Sequence, residues 1–251
     1  MSTLEIRSFI QRLFRRLGWE VQRVENTNSE QQLLKKLLRL TAADVVLDVG
    51  ANVGQFGDLL LALGFDGTLI SFEAIPDVHE RLVRHANGRS RSWLVAPCAA
   101  LGSRRGEIEI NISANSVSSS VLSMRQTHVE SAPQSQYIGK ETVNIERLDE
   151  LAVQYIRPAA KLFIKVDTQG YELEVLKGAT GLWPRTVALQ LELSLVPLYD
   201  QAPTFLDVIT FMAANGFELF GFVPGFRDQQ SGRMLQMDGF FVRADLGSRK
   251  S

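Results

Sequence analysis

The residues best suited to chemistry in this chain are carboxylates that lie in, or directly follow, short apolar runs. Asp48 lies inside Val45–Val49, Glu73 follows Thr68–Phe72, Asp167 follows Leu162–Val166, and Glu192 sits near the end of the run 187–193. Apolar runs of this length read as strands buried on both faces of a parallel sheet. Ligands of open α/β sheets collect just beyond the carboxyl ends of such strands. Gly50 and Gly54 form a turn after the first run, with the spacing Asp48-x-Gly50-x-x-x-Gly54 and Asn52 inside it. Glycine there lets a ligand approach the main chain closely. The spacing departs from G-x-G-x-x-G, the signature of dinucleotide binding. It suits a cofactor with a charged amino-acid tail, because a carboxylate pairs with an ammonium and exposed N–H groups with a carboxylate.

Each remaining candidate has a role that its type and place suggest. Glu73 lies about 20 residues beyond the glycine turn, where an acid accepts ribose hydroxyls. With Ala74 beside it, it marks the ribose end of the crevice, a feature shared by dinucleotides and S-adenosylmethionine. Cys98 and Ala99, after the third strand, are expected at the adenine. No motif ties a base to Cys98, so a nucleophilic role has no support. Asp167 is assigned to the amino-acid end of the cofactor or to the acceptor hydroxyl. Glu192, in an otherwise apolar strand, needs a partner or a raised pKa, and the latter would suit a general base. His128 titrates near neutral pH in a polar loop and is a third candidate base. Asp167 and Glu192 could also share a divalent ion through oxygen ligands. The sequence holds no dense ligand cluster, so a metal stays open.

These residues need a scaffold, and the hydrophobic rhythm supplies one. From Val45 strands and helices alternate: strands at 68–72, 92–96, 161–166 and 187–193, helices at 76–86, 171–177 and 204–214. Two late strands at 218–223 and 239–242 read as an antiparallel edge. This alternation predicts a doubly wound α/β sheet with helices on both faces and a mostly parallel centre. Residues 103–147 interrupt it as an insertion. Two half-exposed strands at 107–112 and 141–145 flank a serine-rich polar segment, 113–136, expected to be a functional or disordered loop. Residues 1–40 form a helical extension to a domain spanning 41–251. Ile6, Phe9, Ile10, Leu13, Phe14 and Leu17 recur at helical spacing among Arg7, Arg12, Arg15 and Arg16. Such a face is covered by the domain itself, by a second subunit or by a membrane surface. A second helix, 30–40, starts at Ser29, a suitable N-cap.

Composition excludes several classes. The chain of 251 residues is 45% hydrophobic and 22% charged, as soluble globular proteins are, and its net charge of -1 gives no reason to bind nucleic acid. The loops lack an aromatic-basic stripe as well. The single cysteine, Cys98, makes no internal disulfide. No apolar run reaches the length of a membrane span, and the N-terminus lacks a signal-peptide core, so the expected location is cytoplasmic.

A wider set of blocks adds a family likeness. LDVGANVGQFG at 47–57 with FEA at 72–74 resembles class I S-adenosylmethionine-dependent methyltransferases. With ALG at 100–102, SSS at 118–120, ERLDEL at 146–151, IKVDTQGYELEVLKGA at 164–179 and LELSLVPLYDQAP at 191–203, the chain is similar to the FkbM methyltransferases. The likeness covers about residues 45–245 and leaves the first forty outside. It implies a Rossmann-like class I methyltransferase fold and S-adenosylmethionine as cofactor. It also implies O-methylation of a hydroxyl on a sugar, glycan or secondary metabolite. The serines at 118–120 are then expected at the acceptor pocket. The competing expectation is a catalytically inactive cofactor-binding domain that acts as an interaction module.

Overall fold

The computed structural model describes residues 3–18 and 29–247. Among the described residues, ten strands form two sheets. β1 (Val45–Val49), β2 (Thr68–Phe72), β3 (Trp93–Val95), β7 (Leu162–Val166), β8 (Thr186–Ser194), β9 (Phe217–Pro224) and β10 (Gln236–Arg243) build the main sheet, in the order β3-β2-β1-β7-β8-β10-β9. Its first five strands are parallel, and β10 runs antiparallel to both β8 and β9. This is the expected doubly wound sheet with an antiparallel edge. The chain winds outward from β1 to β3, then returns beside β1 as β7. That reversal opens a crevice at the carboxyl ends of β1 and β7.

Every residue of β1 and β7 is buried, because helices cover both faces. One face packs Val45, Leu47, Ile164 and Leu189 against α7 (Glu172–Lys177) and α8 (Phe205–Ala214). The other packs Val46, Phe163 and Phe240 against α2 (Glu30–Thr41) and α3 (Gln55–Ala62). Ser29 caps α2 as expected, accepting from the Gln32 N–H. Leu33, Leu34 and Leu37 bury its inner face in the core, so α2 is packed as one of the domain's own helices. α1 (Thr3–Arg16) is the amphipathic helix expected from the N-terminal spacing. α4 (Pro76–Asn87) follows β2 and begins with proline, whose missing N–H costs nothing in a first turn.

The insertion is more ordered than its composition suggests. β5 (Gly106–Ser113) and β6 (Tyr137–Glu146) pair antiparallel, and the two-residue β4 (Ala100–Leu101) joins them in a three-stranded sheet. β4 is too short to show a period in the sequence. Between β5 and β6, the expected loop carries a short helix, α5 (Gln126–Ser131), and isolated bridges from Asn111 to Ser120 and from Met124 to Tyr199. Its polar side chains create this order. The Asn111 amide donates to the carbonyls of Ser120 and Leu122, and Ser118 N–H donates to Asn115 Oδ1. Side chain to backbone bonds of this kind replace a strand or helix ladder. Two further short helices are α6 (Leu148–Leu151) and α9 (Ala244–Gly247).

Trp93 wedges β3 against the start of α3. A Cβ on Gly57 would run into its indole ring, and one on Gly54 would press on the same ring and on His85. Gly57→Ala is therefore expected to destabilise the fold by about 1–3 kcal/mol through overpacking, read as a lower midpoint in urea denaturation with unchanged slope.

Candidate active site

A cavity of about 400 Å³ opens where the winding reverses, within the size range of small-ligand sites. Its floor is the turn after β1, from Val49 to Asn52, and the loop after β7, from Asp167 to Gln169. Glu73, Ala74, Ala99 and Ala100 line one end. Glu30, Gln190, Glu192 and Asp238 line the other. The serine-rich segment contributes Ser116, Ser119 and Ser120.

Sheet register builds the charged base of this cavity. Ser71, Asp48, Lys165 and Gln190 are direct neighbours across β2, β1, β7 and β8, so they form one polar row on one sheet face. Trp93 Nε1 donates to Ser71 Oγ at 3.0 Å, and Ser71 Oγ donates to Asp48 Oδ2 at 3.2 Å. Lys165 Nζ lies 3.5 Å from both Asp48 Oδ1 and Asp167 Oδ2, and donates to the Gly50 carbonyl at 3.3 Å. It also lies 5.6 Å above the Phe56 ring. Burial works against the Lys165 charge, but Asp167, Asp48 and Asp238 outweigh it and raise its pKa. Burial likewise pushes Asp48 above the usual carboxylate range, while Lys165 and Ser71 restrain the shift.

The turn after β1 touches the loop after β7. Gly50 has φ +75°, and a Cβ there would run into the Asp167 carbonyl oxygen. Only glycine meets both demands. Asn52 is also left-handed, with φ 49°. Glu73 holds this turn closed: Oε2 accepts from Asn52 N–H at 2.8 Å, and Oε1 from Ala74 and Ile75 N–H at 2.9 and 3.0 Å. A carboxylate has about four acceptor positions, so Glu73 keeps one for a ligand, on Oε2.

Gln169 organises the opposite wall. With φ 54°, it turns its amide so that Nε2 donates to Asp167 Oδ1 at 2.8 Å and to Glu192 Oε2 at 3.0 Å. Its Oε1 accepts from the Tyr199 hydroxyl at 2.7 Å. An amide donor thus sits between the two carboxylates that could have shared a cation. Among the described residues, no three His, Cys, Asp or Glu side chains gather as a metal site. Glu172 fastens the same loop by accepting from Thr168 and Gly170 N–H, and burial raises its pKa to about 7. Glu192 and Asp238 face each other directly across β8 and β10. Burial and the neighbouring acids raise Glu192 well above the usual carboxylate range, and burial with Asp167 and Glu30 raises Asp238 to about 7. Like charges placed opposite each other weaken a sheet, and such paired acids mark functional sites.

Several sequence-based site residues fall elsewhere. Asp48 is fully buried beneath the cavity and reaches it only through Lys165. Gly54 seats Trp93 and does not line the cavity. Cys98 lies behind Ala99, donating its thiol to the Ala74 carbonyl. His128 is buried against Tyr199 and Phe226, outside the cavity, because its loop folds over the aromatic cluster instead of remaining solvated. Gly50, Asn52, Glu73, Ala74, Ala99, Asp167 and Glu192 do line the cavity. Lys165, Gln169, Gln190, Asp238 and Glu30 were not singled out. A lysine in the apolar run LFIKV was the one signal in the sequence that pointed to them.

The reversing α/β sheet, with its cavity at the carboxyl ends of β1 and β7, has the Rossmann-like class I methyltransferase fold. Residues 48–219 match a family model described as the methyltransferase FkbM domain, and the chain belongs to that family. It is 29% identical over 163 residues to hexuronic acid methyltransferase AglP of Haloferax volcanii, a match covering 64% of this chain and 61% of that relative's length. Among solved structures it is similar to a putative O-methyltransferase from Klebsiella pneumoniae, with TM-score 0.49 and 13% identity over 94% of this chain and 88% of that one. A putative RNA methyltransferase from Pyrococcus horikoshii matches with TM-score 0.46 and 12% identity, covering 85% and 81%.

Two outcomes follow from this geometry. Lys165→Met leaves Asp48 buried without its counter-charge and is expected to cost about 3–5 kcal/mol of stability. Adding Asp48→Asn should recover part of that loss in chemical denaturation. His128, lowered by burial to about 4, contributes stability above the ordinary histidine value of about 6.5, lost as pH falls towards 4. The pH dependence of the urea midpoint over that window is expected to flatten in His128→Phe.

Proposed function

We propose that the protein is an S-adenosylmethionine-dependent O-methyltransferase whose acceptor is a hydroxyl of a sugar, glycan or secondary metabolite. The carrying observation is the charge of the cavity. Glu30, Glu73, Asp167, Glu192 and Asp238 line it, against Lys165, the single cation among its described lining residues, already shared by Asp48 and Asp167. A sulfonium and an ammonium placed there would face acidic side chains. The glycine turn that brings backbone close to the ligand, and the acceptor position left on Glu73, fit the same cofactor. Gly50, Asn52, Glu73, Ala74, Ala99 and Asp167 are the residues that would hold it. The name of the Haloferax volcanii relative supports a sugar acceptor.

When bound, S-adenosylmethionine supplies an electrophilic methyl group on sulfur. A hydroxyl that accepts this methyl group would have to give up its proton. Glu192, whose proton affinity burial and the neighbouring acids raise above that of an ordinary carboxylate, takes that proton on a carboxylate oxygen. Gln169 fixes the orientation of Glu192 and Asp167 by donating to both. Ser116, Val117, Ser119, Ser120 and Val121 of the serine-rich segment line the cavity beside these groups.

Calorimetry should show binding of S-adenosylmethionine to the purified protein and none to Gly50→Ala. Labelled methyl transfer to hydroxyl acceptors in an extract should fall roughly 10²–10⁴-fold in Glu192→Gln, with cofactor affinity retained. Folded protein that fails to bind the cofactor overturns the reading. Binding without transfer to any acceptor favours the inactive interaction module.

A further inference from the structure

We propose that α1 is an interfacial helix that docks the protein on an anionic lipid surface. Ile6, Phe9, Ile10, Leu13, Phe14 and Leu17 are each between 39% and 68% exposed, and none joins a hydrophobic core of the domain. At 100° per residue they fall on one continuous stripe along the helix. The same spacing puts Arg16, with Arg12 beyond it, at the border of that stripe. Residues 3–17 carry four arginines against the single acid Glu5.

This pattern selects among possible occupants. A second copy of α1 laid face to face would bring two arginine-bordered stripes together, and the like charges would oppose the contact. A lipid surface takes the apolar stripe into its acyl boundary while the arginines reach the headgroups. The whole chain has a net charge of -1, so the positive charge gathered on α1 leaves the rest of the chain net negative. An anionic surface therefore attracts α1 and repels the body, which orients the protein as well as binding it. Glu30, the first residue of α2, lines the cavity. The stretch from Leu17 to Glu30 spans at most about 45 Å when fully extended, so docking keeps the cavity within that reach of the membrane.

The test is co-sedimentation of the full chain with extruded vesicles. One set is phosphatidylcholine alone, and the other contains about one third phosphatidylglycerol. Binding is expected to the anionic vesicles, falling at least about tenfold between 0.1 M and 1 M salt. Leu13→Asp is expected to abolish it, and Arg12→Glu with Arg16→Glu to weaken it by a similar factor. Unchanged circular dichroism and cofactor binding would show these variants folded. Equal binding to both vesicle types, or none to either, overturns the proposal. A concentration-dependent dimer that Leu13→Asp disperses also overturns it, assigning the face to a second copy.

Discussion

The structure turns on one buried ammonium. Lys165 is buried in the centre of the main sheet, where an unpaired charge would be prohibitive. It is stable there because Asp48 on the neighbouring strand, Asp167 at the end of its own, and the Gly50 carbonyl share it. Gly50 and Asp167 belong to the two loops that form the floor of the cavity. The interaction that neutralises the core charge therefore fixes the relative position of the loops. The line continues through Ser71 to Trp93, and the indole in turn demands glycine at positions 54 and 57. Core, turn and site are one connected network.

The acids on the other side of the cavity carry a cost of their own. Glu192 and Asp238 lie opposite each other in the antiparallel register, with Glu172 and Asp167 close enough to raise the Glu192 pKa further. A purely structural sheet would place apolar residues there. Gln169 moderates the arrangement by donating one amide group to two carboxylates, and Tyr199 anchors that amide from behind. The result is a set of carboxyls with high proton affinity beside an ammonium, fixed before any ligand arrives. Pre-set polarity of this kind suits the proposed reaction, in which a hydroxyl proton would leave as a cationic methyl donor loses its charge.

Much of the scaffold was legible because it rests on local periodicity. Thr68–Phe72 was expected and found with the same ends, and α8 begins after Thr204, whose side chain and Asp207 form a reciprocal cap. The insertion was less legible. Asn111 and the serines after it look like loop residues, and only their bonds across the segment show that they order it. His128 illustrates the same limit: its neighbours in sequence are polar, but Tyr199 and Phe226, distant in sequence, bury it.

The sequence by itself determined the alternation of strands and helices, the glycine at position 50, the acids at the strand ends and the family to which they point. Those features depend on residue type and short-range spacing. Tertiary structure decided which groups meet. Strand register placed Asp48 under the floor, brought Lys165 beside it, set Asp238 against Glu192, and let α2 bring Glu30 to the rim. Pairing across strands joins residues as distant in sequence as Asp48 and Lys165, and no local pattern encodes which of them will be opposite.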